Sequence, residues 1–445
     1  MRQDRSDPTT RQMPAAPLAT VSGGMVARNL LMGALKLLVA GFLSPAVFGT
    51  VRVTYSLMKI VSRMAELGLG TTQVTLVSEA LGRSDRVRAR RLQETVLALV
   101  LSLATLLVLV SLLAAPAASW VLGDPALEPF ARLALLAAGG QLLWRYVASW
   151  LSSHQRFGQL SMFLVTGPAV GLIVAMAGLA AGWFDAVLAT VVYLFSPIVA
   201  AALWWPVLRG ARPPAIAVRR PRSHQRVLVR VVRFGRWVYL SRLGSAVRNH
   251  ITPLLLAQPL LSGSVAAGAL NAGLFGFGAD LAAEITVLTR SLATVLLPEA
   301  ARQPAGADLR QFLAATYRRL LPLLALLSLA VFGARPLVVA AGTVIPGYLE
   351  YLPALRVFAI LYVGNLVSAA GAPMLAVLYA LGRPRAEATI EVFSMLLLSL
   401  LVPLGAWHFG IEGAAGAISL QRVVSLILLG WTTQQALRSA EATAK

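Results

Sequence analysis

Cysteine is absent from all 445 residues, which excludes disulfides and thiolate metal sites. Charge is scarce too: Asp, Glu, Lys and Arg make up 13% of the chain, about half the share usual in soluble domains. Acids are scarcer still, 18 against 39 basic residues, and all but three of the basic residues are arginine. The four histidines, His154, His224, His250 and His408, are too scattered to make a metal centre. What remains is apolar, with 58% hydrophobic residues and a mean hydropathy of +0.74. These figures describe an integral membrane protein. A formal charge of +21 might point to nucleic acid in a soluble protein. Here it sits mostly between apolar runs, where it reports topology, so no nucleic-acid partner is expected.

Apolar segments long enough to span a bilayer fall at 21–43, 46–80, 92–114, 127–151, 159–181 and 184–208. A second set falls at 234–257, 264–298, 310–333, 352–380, 386–408 and 411–436. The first run continues into many others, so it is read as a first span and not as a cleaved leader. Between the sets lies 209–236, with nine arginines and three prolines. The expected organisation is an N-terminal tail (1–20), an N-lobe (21–208), a basic connector (209–236), a C-lobe (237–436) and a C-terminal tail (437–445). The positive-inside rule supports it, since the intervening loops that would lie outside carry a single basic residue, Arg335. Both termini are then cytoplasmic, and the fold class is an all-α polytopic membrane protein of twelve spans.

The halves resemble each other. GDPALEPFARLALLAAGGQLL (123–143) aligns without a gap with GYLEYLPALRVFAILYVGNLV (347–367), and Arg28-Asn29 recurs as Arg248-Asn249. Six spans restore orientation, so this is a parallel repeat about an axis along the membrane normal, as in transporters that bind substrate between lobes.

Residues 52–91 carry the chemistry. Arg52, Lys59, Arg63 and Glu66 fall within about 60° of one another on a helix at 100° per residue. Intramembrane charges are costly facing lipid and belong in a protein interior or a water-filled path. Arg28, Lys36, Arg52, Lys59, Arg63 and Arg248, deep on the opening spans of each half, are expected to share a basic cavity. Such a cavity concentrates anions, and the guanidinium fork suits phosphate or carboxylate oxygens. Glu66 either pairs with Arg63 one turn away or serves as an ion-coupling carboxylate; Asp280 and Glu284 carry the same alternative. Arg132, Arg145, Arg242 and Arg356, nearer span ends, are expected to snorkel or pair across helices. Glu387 and Glu391 are expected to pair with Arg383 and Arg385, and His250 to be interfacial. The GLFGFG run (273–278) permits close helix approach.

ELGLGTTQVTLVSEALGRSDRVRARRL resembles the second span and following loop of the Wzx-type polysaccharide flippases, in the multidrug/oligosaccharidyl-lipid/polysaccharide exporter superfamily. LSPAVFGTVRV (43–53), GYLEYLPALRVFAILYVGNLV, ALGRPR (380–385) and GIEGAAGAISL (410–420) extend the likeness over both halves. The resemblance implies a V-shaped two-lobe exporter in the bacterial inner membrane. It would flip an undecaprenyl-diphosphate-linked oligosaccharide, of O-antigen or exopolysaccharide type, by alternating access. It would work beside a polysaccharide polymerase and chain-length proteins, without a cofactor and without being an enzyme. The alternatives are a cation or drug antiporter of the same superfamily and a peptidoglycan-precursor flippase. The first is disfavoured by Arg28 and Lys36 in an acid-free first span; the second usually has two further spans.

Overall fold

The computed structural model describes residues 15–122, 124–210, 242–283, 307–381 and 383–444, with single positions 239, 285, 296 and 300. Most of the basic connector and the candidate acid Glu284 lie outside the described residues. Every regular element described is helical. The first half contains α1 (Ala15–Phe42), α2 (Pro45–Glu66), α3 (Leu69–Gly82), α4 (Arg86–Val121), α5 (Glu128–Ser153), α6 (Phe157–Ala180) and α7 (Ala186–Gly210). The second contains α8 (residues 242–256), α9 (Val265–Ala283), α10 (Ala307–Ser328), α11 (Ala330–Val344), α12 (Ala354–Ala370), α13 (Ala372–Ala380) and α14 (Pro384–Ala444). Among the described residues, eight helical stretches are long and apolar enough to cross a membrane. The chain is therefore a multi-pass membrane protein. Helices α2 and α5 miss that criterion because the polar side chains that stud them lower their hydropathy.

Helix ends follow local chemistry. Asp85 caps α4, its Oδ1 accepting from the Arg88 amide at 2.9 Å, which sets Arg86, Arg88, Arg90 and Arg91 in the opening turns. The segment read as one span over 46–80 is instead broken. Leu67 and Gly68 both adopt left-handed backbone (φ 50° and 73°), so α2 ends there and α3 leaves on a new axis. For a leucine that conformation costs roughly 1–2 kcal/mol, so packing must hold it. Pro168, Pro197, Pro322 and Pro403 sit within continuous helices.

The other internal break is Gly410 (φ 60°, ψ −143°), which separates the two segments expected at 386–408 and 411–436. That backbone region is essentially restricted to glycine. Gly410→Ala is expected to cost about 1–3 kcal/mol and to lower the melting temperature in detergent. Gly416→Ala, where an added Cβ meets open space in ordinary helix, is expected to leave it unchanged.

Apolar side chains gather mainly in two cores. One packs α1 to α7 around Leu35, Phe48, Met58, Leu142 and Phe163; the other packs the second half around Leu256, Phe358, Leu366 and Leu398. In a bilayer, burial from water does not drive helices together, so close contact between small residues must. Helices α2 and α9 meet in that way. A Cβ placed on Gly49 would come within 1.8 Å of the Ala269 carbonyl oxygen, and one on Gly273 within 1.8 Å of the Pro45 carbonyl oxygen. Glycines of the GLFGFG run thus set backbone against backbone.

Further contacts between the halves collect at the same arginine-poor end. The Tyr348 hydroxyl donates to the Leu37 carbonyl at 2.8 Å, and the Tyr351 hydroxyl to the Leu43 carbonyl at 3.0 Å. Gln258 Nε2 donates to the Val121 carbonyl at 2.7 Å. Tyr351 also packs edge-on against Phe48 and tilted against Phe277. The halves are fastened at this end.

Candidate functional site

Behind that closure, the charged stripe of α2 meets Asp280 of α9 in the other half and Arg145 of α5 in its own. The side chains of Arg52 and Glu66, at the two ends of the stripe, are each 8% exposed, and Arg63 is 29% exposed. Arg52 is held in place by Gly276 of α9, where a Cβ would come within 3.0 Å of the arginine side chain.

Two ion-paired clusters divide the stripe. In the inner one, Asp280 of α9 bridges two cations of the opposite half, Lys36 Nζ at 2.8 Å and an Arg52 nitrogen at 3.3 Å. In the outer one, Glu66 is held by Arg63 at 2.6 Å and by a short contact from Arg145 of α5. Lys59 lies between the clusters, over the ring of Tyr55 at 4.9 Å and 3.5 Å from Gln141 Oε1.

Electrostatic reach joins these groups into one field. Lys59, Lys36, Arg52 and Arg28 all act on Tyr55; Arg145 and Arg28 act on Lys59; and Arg145, Arg63 and Arg242 act on Glu66. Seven basic side chains thus stand within electrostatic reach of Tyr55, Lys59 or Glu66, with Glu66 and Asp280 as the acids paired among them. Within low-dielectric walls, that imbalance draws anions and repels cations.

The sequence also matches the polysaccharide biosynthesis protein family over residues 20–302. The chain belongs to that family. A search of the curated proteins finds no match. Solved structures supply the fold of this polysaccharide biosynthesis protein. An inward-facing multidrug resistance MATE family transporter of the MOP superfamily superposes with a TM-score of 0.72 at 15% identity, over 94% of this chain and 96% of that one. A mutant MATE transporter from Vibrio cholerae gives 0.63 at 17% identity, over 96% and 97%. A MOP superfamily transporter from Pyrococcus furiosus, described as having a binding pocket of reversed polarity, gives 0.60 at 16%, over 97% of each chain.

Of the residues singled out from sequence, Lys36 and Arg52 of this protein meet Asp280, Arg63 meets Glu66, Lys59 lies over Tyr55 and Arg28 over Trp144. Arg248 lies elsewhere. It pairs with Glu391 of α14 at 2.9 Å and acts on Arg422, which donates to the Leu361 carbonyl at 3.1 Å. That corrects the expected pairing of Glu391 with Arg383 or Arg385, since Arg383 donates to Ser439 and Glu387 accepts from Tyr379. Arg145, expected to snorkel or to pair across helices, takes the second course: it is 11% exposed and pairs with Glu66 of α2. Its neighbour Gln141, one turn away on the same face of α5, is the signal that would have found it. Gln141 Nε2 is itself buried without an acceptor. His250, expected at the interface, stands edge-on to Tyr55 with ring centroids 5.9 Å apart, so aromatic contact carries α8 to the stripe.

Proposed function

We propose that this protein flips an undecaprenyl-diphosphate-linked oligosaccharide, an O-antigen or exopolysaccharide repeat unit, from the cytoplasmic to the outer face of the bacterial inner membrane. The observation that carries the reading is the row of basic side chains on α2 and α1 turned to the other half, Lys36 and Arg52 against Asp280, in a chain of the polysaccharide biosynthesis family whose halves are fastened at one end. Orientation follows from the arginine-rich loops, which belong in the cytoplasm. Twelve spans then form two six-helix lobes, residues 21–208 and 237–436, joined by a basic connector, with both termini cytoplasmic.

In this reading the cleft admits the lipid headgroup from the cytoplasmic leaflet. Lys59 and the Arg52 fork meet diphosphate oxygens, while Arg28, Lys36 and Arg63 extend the field along the groove. The lobes then part at the α2–α9 crossing and release the headgroup outside. Glu66, Asp280 and Glu284 are the acids through which an ion gradient would couple to this cycle. A polysaccharide polymerase and chain-length proteins would take up the flipped unit. Arg248, beside Glu391 and Arg422, offers a second cationic position in the C-lobe.

A cation or drug antiporter is the competing reading, favoured by the MATE fold. The excess of cleft cations disfavours it, because a cationic substrate would be repelled. The test is export in cells lacking their own flippase. Arg52→Gln combined with Lys59→Gln is expected to cut surface polymer at least tenfold at equal membrane abundance. Arg132→Gln, at an exposed pair with Glu128, is expected to export normally. Undiminished polymer from the double variant, or cells made resistant to cationic dyes in its place, would overturn the proposal.

A further inference from the structure

The inner ion-paired cluster performs a task that substrate binding alone does not require. Its cations, Lys36 and Arg52, belong to the N-terminal half, and its acid, Asp280, to the C-terminal half. Asp280 is 12% exposed and Arg52 8%, so water screens the contact poorly. Each partner lies seven residues further into the membrane than a contact of the closure: Arg52 from Pro45, Asp280 from Gly273. At 1.5 Å per residue that is about 10 Å. The glycine crossing lies on the closed side and the ion pair on the cleft side of one pair of helices. Separating α2 from α9 to open the closure necessarily parts Asp280 from Arg52.

We infer that Asp280 is an internal counter-anion that holds the place of the substrate's phosphate, and that an anionic headgroup opens the outer closure by displacing it. The inference rests on the flippase reading above and adds a trigger to it. In the empty cleft Asp280 neutralises Lys36 and Arg52 and fastens α9 to α1 and α2. Opening without a ligand would strand a carboxylate and two cations in low dielectric, so the empty carrier stays shut outward. A diphosphate offers the same two donors more oxygens and more charge, and the guanidinium fork accepts them in bidentate geometry. Once the cations turn to the phosphates, Asp280 loses its partners and faces a like charge, which drives α9 away from α2. A ligand shifts a conformational equilibrium only by its differential affinity for the two states. Here the difference arises because Asp280 competes for the cations only in the outward-closed state. On return, Asp280 reclaims the two cations and allows the empty carrier to close again. No covalent step is involved.

The absence of cysteine makes the test direct. Trp120 and Leu260, 70% and 81% exposed beside the Gln258–Val121 contact, are replaced by cysteine and spin-labelled in the full chain in lipid nanodiscs. Inter-label distances are measured with and without inorganic diphosphate. The otherwise unmodified chain is expected to be closed alone and to open with diphosphate. Asp280→Asn is expected to raise the open fraction at least tenfold without diphosphate and to respond little to it. Asp280→Glu, which keeps the charge, is expected to restore closure and shows that position 280 tolerates substitution. An Asp280→Asn protein as closed as the parent, or a parent that ignores diphosphate, overturns the inference. Export in flippase-deficient cells is scored separately: a native chain that restores no polymer refutes the flippase reading, whatever the labels do.

Discussion

Valine at Gly273 is expected to prevent the outer closure from forming. A Cβ there would come within 1.8 Å of the Pro45 carbonyl oxygen and 3.0 Å of the Gly49 amide nitrogen. Both are main-chain atoms, so no rotamer change relieves the clash, and the helices must move apart. Gly49→Val meets the same obstacle from the other side, at the Ala269 carbonyl. Overpacking of this kind commonly costs 1–3 kcal/mol or more, and here the whole cost falls on one conformation. The expected result is a protein that inserts normally, stays open at its arginine-poor end by spin-label distance, and loses at least nine-tenths of its export. Gly158→Ala provides the comparison, because a Cβ there meets nothing within 4 Å; it should export at the native level. Native closure and export by Gly273→Val would show that the crossing does not govern access.

Removing the carboxylate at Glu66 should produce the largest loss of stability. Glu66 is 8% exposed, and it holds Arg63 and Arg145 together on the wall of the cleft. Taking one partner from a buried ion pair typically costs about 3–5 kcal/mol, because the charge left behind has no compensation. Glu66→Ala is therefore expected to melt well below the native protein in detergent. Glu66→Gln should fall less, since the amide can still accept one hydrogen bond. Replacing Glu66 and Arg145 together by leucine and methionine should recover much of the loss, as paired charges exchanged for apolar residues often do. A Glu66→Ala protein that melts with the native one would mean that the cluster contributes little to the fold.

Much of this was readable in the residues. The spacing of Arg52, Lys59 and Arg63 placed them on one helical face, and the cost of charge in lipid turned that face inward, where the structure puts it. The glycines of 273–278 permitted the close approach that α9 makes to α2, whereas the arginine-poor loops spoke only to topology and not to where the halves meet. Partner choice was not readable. The bridge from Asp280 to Lys36 spans 244 positions, and only tertiary packing brings those helices together. Arg145 was expected to snorkel or to pair across helices, and it pairs, but that its partner is Glu66 was settled only by the packing of α5 on α2. Glu391 went to Arg248 and not to its sequence neighbours for a similar reason: α8 packs beside α14, with Gly244 3.8 Å from the Glu391 carbonyl oxygen for an added Cβ. Hydropathy ran 46–80 together as one span, whereas Leu67 and Gly68 break the helix there, and the left-handed leucine is a tertiary imposition.

The hydrogen bonds that fasten the outer end have one chemical trait in common. Tyr348, Tyr351 and Gln258 supply the donors, and every acceptor is a main-chain carbonyl, of Leu37, Leu43 and Val121. A carbonyl is offered by any residue at those positions, so the fastening depends on the path of the backbone and is indifferent to the side chains on the accepting strand of contacts. Leu37 and Val121, exposed at 40% and 43%, are then free to vary among apolar residues while the fastening keeps its shape, whereas Leu43 is held by its place in the first core. Variation concentrates on one partner of those two bonds and constraint on the other.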